Sequence, residues 1–202
     1  MRIIAGQAGG RRLAAPPDGT RPTTDRVREA LFSSLDAHVH AHHGGWGDVR
    51  VLDIFAGSGA VGLEAMSRGA RSATLVERDR RCLEVLRRNA AEVDPRARVV
   101  SADAMTWRPD QGPYDLVFVD PPYALPDDEV RALLASLAAH DALAEDALVI
   151  VERSTRSPAP WPETGWEQLR KRDYGDTALW YGQASPSGAA ASVRRSSPSE
   201  EA

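Results

Sequence analysis

Residues 51–62 read Val51-Leu52-Asp53-Ile54-Phe55-Ala56-Gly57-Ser58-Gly59-Ala60-Val61-Gly62, and this stretch decides the fold. A short apolar run with one acid near its end reads as a buried strand. The glycines that follow let the backbone turn sharply and let a ligand approach closely. Residues 61–68 then carry helical spacing. A strand that breaks into glycines and re-forms as a helix is the opening unit of an open parallel sheet, and such sheets bind ligands at the carboxyl ends of their strands.

The rhythm continues outward. Residues 49–54, 73–76, 97–100, 114–119 and 147–151 predict strands, and 80–91 and 129–139 predict helices between them. Repeated alternation means a parallel sheet with helices on both faces. After Val151 the pattern changes, and 166–172 and 177–181 predict two strands joined by a tight turn at Tyr174-Gly175-Asp176. The expected fold class is α/β, a Rossmann-like and mostly parallel seven-stranded sheet with a C-terminal antiparallel hairpin. Upstream, residues 1–14 read as two short extended pieces around Gly6, Gly9 and Gly10, and Pro16-Pro17-Asp18-Gly19 as a turn. A helix follows Thr23-Thr24-Asp25, with either threonine as its cap and Val27, Ala30, Leu31 and Leu35 as its apolar face. Residues 184–202, rich in Ser, Ala, Pro and Gly, are expected to be disordered. This gives a basic arm over 1–22, one domain over 23–183 and a tail over 184–202.

Composition narrows the class. A chain of 202 residues can build one domain with a substantial core. No apolar run approaches the roughly 20 residues that span a bilayer, and the start, Met1-Arg2-Ile3-Ile4, meets Gly6 too soon for a signal peptide. A cytoplasmic, non-membrane protein, and a monomer, is expected. Cys82 is the only cysteine, which excludes an internal disulfide and a cysteine-rich zinc site. His38, His40, His42 and His43 have no carboxylate among them at ligand spacing, so they read as a solvated helix end and loop, and no metal is expected. The net charge of −4 conceals an asymmetry: residues 1–28 carry Arg2, Arg11, Arg12, Arg21, Arg26 and Arg28 against Asp18 and Asp25. A basic arm on an acidic body can face phosphates. Lys171 is the only lysine, so arginine is favoured throughout, and the clustering at one end is the informative part.

Two constellations carry chemistry. In the first, Gly57-Ser58-Gly59-Ala60-Val61-Gly62 also satisfies the dinucleotide pattern G-x-G-x-x-G, so a nicotinamide enzyme competes with a plain structural turn and with a nucleoside site of another kind. Asp53 separates them. An acid inside the strand, just before the turn, suits the ammonium of a methionine moiety and would repel a pyrophosphate. Glu77, ending the next strand, can accept from both ribose hydroxyls. Asp103, in Ser101-Ala102-Asp103-Ala104 after the third strand, can accept from an adenine amine. Acids at three successive strand ends favour S-adenosylmethionine as the cofactor, and hence a class I methyltransferase.

The second is Val119-Asp120-Pro121-Pro122-Tyr123. Proline pairs stiffen any turn, but a mere turn needs neither the acid before them nor the aromatic after. The lone pair of a base's exocyclic amine is delocalised into the ring. Hydrogen bonds to the Asp120 carboxylate and the Pro121 carbonyl would aim that lone pair, and Asp120 would stabilise the positive charge growing on nitrogen. Tyr123 can stack on a base taken out of its helix. Methylating carbon 5 of a pyrimidine would instead need a thiolate, and Cys82 lies on the apolar side of its predicted helix as a core residue.

Taken in order, Arg2-Ile3-Ile4-Ala5-Gly6, Arg21-Pro22-Thr23-Thr24-Asp25-Arg26-Val27-Arg28-Glu29-Ala30-Leu31-Phe32, Asp53-Ile54-Phe55-Ala56-Gly57-Ser58-Gly59 and Asp120-Pro121-Pro122-Tyr123 resemble the small-subunit ribosomal RNA guanine-N2 methyltransferases of the RsmD family, over roughly residues 2–183. The arginine-rich motif is far more specific than the glycine loop. The resemblance implies methyl transfer from S-adenosylmethionine to the N2 amine of a guanine in 16S ribosomal RNA, within a partly assembled small subunit. It implies that Asp53, Gly57 and Gly59 contact the methionine part of the cofactor, Glu77 the ribose and Asp103 the adenine, with Phe55, Ser58 and Ala104 completing that site. It places Asp120, Pro121, Pro122 and Tyr123 at the target base, and Arg11, Arg21, Thr23, Arg26 and Arg28 where RNA approaches. The bland alternative is that Arg26 and Arg28 pair with helix-surface acids such as Glu29. The long, histidine-rich stretch from Asp36 to Asp48 and the Ser-rich tail depart from the pattern without removing a motif.

Three other readings compete. A DNA amine methyltransferase could use the same clamp on adenine N6, but the chain has no spare segment for a target-recognition domain. A nicotinamide oxidoreductase lacks any later motif for hydride transfer. A non-catalytic RNA-binding assembly factor would need no amine clamp.

Overall fold

The structure, a computed structural model, describes residues 1–15 and 25–185. In chain order its elements are α1 (Asp25–His43), a 3-10 turn (Trp46–Asp48), β1 (Arg50–Ile54), α2 (Ala60–Ser67), β2 (Ser72–Glu77), α3 (Arg80–Val93), β3 (Arg98–Ser101), β4 (Tyr114–Val119), α4 (Asp127–Ala139), β5 (Leu143–Ser154), β6 (Trp166–Tyr174) and β7 (Thr177–Ala184). The seven strands form one sheet in the order β3-β2-β1-β4-β5-β7-β6. The first five pair in parallel, and β7 runs antiparallel to both β5 and β6. This is the sheet of the Rossmann-like class I methyltransferases, hairpin included.

Strand alternation divides the core. Val51, Leu116, Phe118, Leu148 and Ile150 pack with Leu31, Phe32 and Leu35 of α1 and with α2. Their neighbours Leu52, Val117, Val119, Val149 and Val151 pack on the other face with Val130, Leu134 and Leu137 of α4. β5 is longer than the predicted 147–151 at both ends: its start, at Leu143, pairs with Tyr114 of β4, and its tip, to Ser154, pairs with the start of β7. Ala184 still belongs to β7, and Ser185 N–H donates to the Gly165 carbonyl at 2.9 Å, so regular structure runs past the predicted start of the tail. Residues 186–202 lie outside the described residues, as do the Pro16–Gly19 turn and the Thr23-Thr24 cap.

The amino-terminal pieces meet as an antiparallel bridge between Arg2 and Arg12. They are bolted to α2. Glu64, fully buried, accepts Ile4 N–H at 2.6 Å and Ala5 N–H at 3.0 Å, and Arg68 Nε donates to it at 2.8 Å. A buried carboxylate needs such company, since an unpaired one would cost several kcal/mol. A Cβ on Gly6 would sit 1.9 Å from the Ser67 carbonyl oxygen, so only glycine lets the two backbones lie this close. Ile3 and Leu13 join the same core as α1 and α2.

The histidine stretch differs from expectation. α1 continues through His43, and His38 is half-buried, stacked on His42 at 4.1 Å. Burial, with the neighbouring His42 and His43, pulls its pKa down to about 4. The apolar stripe of α1 extends to Val39, which draws the flank of the next turn out of solvent.

Candidate active site

The sheet register brings the predicted acids to one edge. Ile54 pairs with Val76 on one side and Val119 on the other, so Phe55, Glu77 and Asp120 leave the sheet at the same level. Asp120 N–H donates to the Ile54 carbonyl at 3.3 Å. Because β1 lies between β2 and β4, Glu77 and Asp120 flank the β1–α2 loop from strands about 10 Å apart, two strand spacings. The strand order reverses between the parallel neighbours β1 and β4, the switch point where such folds hold ligands.

Glu77 spends its carboxylate on the loops around it. Its Oε1 accepts Arg78 N–H at 2.7 Å and Asp79 N–H at 2.8 Å, and its Oε2 accepts Gly57 N–H at 2.9 Å. Phe55 holds a positive φ of 63° between the strand and the glycines, a costly conformation for a bulky residue. The loop's outer side is open: a Cβ on Gly57 would meet nothing nearer than the Phe55 carbonyl oxygen at 4.0 Å. Ser58 and Ala104 are both buried. Asp103 accepts Met105 N–H at 3.0 Å and pairs with Arg78 at 2.8 Å. Those two contacts, the backbone N–H first, hold its pKa below the usual carboxylate range, so it stays an acceptor.

Asp53 sits deeper than its motif position suggests. It is 2% exposed, and its Oδ2 accepts Gly62 N–H at 2.9 Å, pinning the first turn of α2. Burial pushes its pKa up to about 7; the Gly62 N–H opposes this, and the charge of Glu77 adds to it. It underlies the glycine loop rather than lining its surface.

On the other side of the loop, Asp120 is half-buried, Pro121 is buried, and Tyr123 is 56% exposed with its hydroxyl 3.4 Å from Thr177 Oγ1. Sequence reasoning missed what backs this segment. Arg153, at the tip of β5 and 4% exposed, donates through Nη2 to the Leu125 carbonyl at 2.9 Å and to Asp127 Oδ1 at 2.8 Å. An arginine ending an apolar strand, together with the run of acids that opens the preceding helix α4, was the available signal. Cys82 is buried on α3, and burial raises its thiol pKa to about 11.

The expected RNA residues divide. Arg26 is exposed. Arg11 is exposed too, with one arm donating to the Glu92 carbonyl in the last turn of α3. Arg28 requires correction: it is 0% exposed, donating through Nη2 to the Arg2 carbonyl at 2.7 Å and to Asp25 at 2.7 Å. It faces inward because it shares the helical stripe of Leu31, Phe32 and Leu35. Arg21 and Thr23 lie outside the described residues.

A sequence family described as Conserved hypothetical protein 95 matches residues 1–183. Ribosomal RNA small subunit methyltransferase D of Escherichia coli (strain K12) is 41% identical over 185 residues, covering 88% of this chain and 87% of that protein. The chain belongs to the RsmD family. Another member, Ribosomal RNA small subunit methyltransferase D of Haemophilus influenzae, is 33% identical over 182 residues, covering 87% of this chain and 89% of its own. The solved structure of the Escherichia coli protein yhhF superposes with a TM-score of 0.76 at 41% identity, covering 92% of this chain and 98% of its own. The chain is a class I methyltransferase that uses S-adenosylmethionine. Among the described residues, no helix is long and apolar enough to cross a membrane, and no group of three or more His, Cys, Asp or Glu side chains is placed to hold a metal ion.

Proposed function

We propose that this enzyme methylates the N2 amine of a guanine in 16S ribosomal RNA, acting in the cytoplasm on the small subunit or an assembly intermediate. One observation carries the reading: the Asp120–Tyr123 segment leaves the sheet level with Phe55 and Glu77, and its aromatic ring is exposed. The cofactor site fits its group. Glu77 and Asp103 present acceptors at neighbouring strand ends, and the open side of Gly57 leaves room for a ligand against the backbone. When bound, S-adenosylmethionine supplies an electrophilic methyl group.

The residues of the chain do the rest. Glu77 would hold the ribose, Asp103 the adenine, and Phe55, Gly57, Ser58, Gly59 and Ala104 the surrounding surface, with Asp53 setting the loop from beneath and supplying negative charge near an ammonium. Tyr123 would stack on the target base. The Asp120 carboxylate and the Pro121 carbonyl would accept the two N–H groups of the guanine amine and so direct its lone pair. Asp120 also stabilises the positive charge that develops on nitrogen. The methylated ammonium is acidic enough to lose its proton to water, so no strong base is required. Most of the acceleration comes from in-line positioning, an effect worth up to about 7–11 kcal/mol. The exposed Arg26 and Arg11, with Arg21 and Thr23, would meet RNA.

The test is labelled methyl transfer to small subunits, naked 16S RNA and duplex DNA, followed by nucleoside analysis. N2-methylguanine in the RNA is the expected product. N6-methyladenine as the sole product would overturn the substrate.

A further inference from the structure

Position 89 lies on the buried face of α3, in the stripe of Cys82, Leu83, Leu86 and Ala90, where an apolar side chain would pack. The sequence places asparagine there. It is 1% exposed, so its amide costs stability unless its polar atoms are matched. They are: Oδ1 accepts Ala14 N–H at 2.9 Å, and Nδ2 donates to the Ala14 carbonyl at 3.0 Å and to the Ser58 carbonyl at 2.9 Å. The first two bonds imitate a neighbouring strand. The third reaches into the glycine loop of the cofactor site. Aspartate could not donate, and leucine could do neither.

A second buried side chain makes a parallel connection. Arg28 binds the Arg2 carbonyl and Asp25 through Nη2, while its Nη1 lies 3.4 Å from the Ala60 carbonyl. Ser58 and Ala60 flank Gly59. The amino-terminal hairpin and the start of α1, which carry the exposed Arg2, Arg11, Arg12 and Arg26, are thereby tied to the carbonyls on either side of one loop residue.

That loop has a reason to shift when a ligand arrives. A carboxylate offers about four acceptor sites, and Glu77 uses three of them on Gly57, Arg78 and Asp79 N–H groups. Two ribose hydroxyls need two sites, so one backbone N–H must yield. Gly57, the loop contact, is adjacent to Ser58.

We infer that Asn89 is a positioning residue that couples the cofactor loop to the arginine-bearing amino-terminal segment, so that cofactor and RNA bind cooperatively. The RNA half of this rests on the function proposed above; the link from loop to hairpin does not. Coupling between two sites is reciprocal and commonly amounts to about 5–150-fold.

The experiment measures the affinity of 16S RNA with and without saturating S-adenosylhomocysteine, for wild type and for Asn89→Ala and Asn89→Asp. Wild type should bind RNA at least about fivefold more tightly with the cofactor product present. Both variants should bring that ratio close to one, while RNA affinity without cofactor changes far less. Amide hydrogen exchange on the wild-type protein supplies the second readout, with Ala14 N–H becoming more protected when S-adenosylhomocysteine binds. Variants that keep the wild-type ratio, or exchange at Ala14 that ignores the ligand, would overturn the coupling. Should a variant not fold, the wild-type exchange result decides. A protein that shows ligand-dependent protection but transfers no methyl group to ribosomal RNA would refute the substrate and leave the link intact.

Discussion

Replacing Asp53 with asparagine isolates the cost of a buried charge beneath the cofactor loop. The carboxyl is 2% exposed and has one hydrogen bond, from Gly62 N–H at 2.9 Å. Burial lifts its pKa from 3.8 to about 7, the Gly62 bond opposing and Glu77 reinforcing the change. Over this range the folded protein keeps a proton that the unfolded chain has lost. Stability therefore falls as pH rises from near 4 to near 7 and levels off above. At about 1.36 kcal/mol per pK unit, the full cost of the ionised group is about 4 kcal/mol. Asp53→Asn keeps an oxygen for Gly62 and cannot ionise. Urea midpoints of the ligand-free proteins should therefore draw apart between about pH 5 and pH 7, the variant gaining roughly 1.4 kcal/mol on wild type per pH unit. Above the window the gap should stay constant. A ligand ammonium would hold Asp53 ionised, so S-adenosylhomocysteine should bind wild type more tightly with rising pH across the same window, and the variant should lose that dependence. Parallel pH profiles for the two proteins would refute the buried, proton-holding Asp53.

Four further outcomes are expected. Asp120→Ala should lower kcat by about 10²–10³, the usual loss when a preorganised charge-stabilising group is removed, while S-adenosylhomocysteine binding by calorimetry stays near wild type; near-normal turnover would reject the amine clamp. Tyr123→Ala should cost about 1–3 kcal/mol of stacking in kcat/KM for RNA, and Tyr123→Phe almost none, in steady-state assays at saturating cofactor. Arg26→Ala should reduce the salt slope of RNA binding by about one, whereas Arg28→Ala should lower the urea midpoint and leave that slope unchanged, because Arg28 is interior. Cys82→Ala should retain methyl transfer, checked by labelled product yield, since its buried thiol, with a pKa of about 11, is not a nucleophile at neutral pH.

The sheet was legible because its signals are local. Each apolar run announces a strand, and acids or glycines mark the carboxyl ends, so the sequence alone puts Asp53, Glu77, Asp103 and Asp120 at or near strand ends. What was not legible is the depth at which a polar group sits. Arg28 looked like surface because arginines cluster at that end. Yet the stripe Leu31, Phe32, Leu35 and Val39 turns position 28 inward, and a face built on Ala30 instead of Phe32 hides this. Glu64 could be matched to Arg68 one turn on, but not to the amides of Ile4 and Ala5, some sixty residues away. Asn89 shows the same asymmetry: its α3 stripe marks it as buried, and burial demands partners, but only the fold shows them to be Ala14 and Ser58. A sequence can therefore reveal where a polar side chain must be satisfied before it reveals by what. In this protein the buried partners of Arg28, Glu64 and Asn89 all bind the amino-terminal hairpin to elements around the cofactor loop. Position on the buried stripe of a helix, rather than charge alone, is thus the physical signal that separates Arg28, which helps hold the scaffold together, from Arg26, which stays exposed on the same helix.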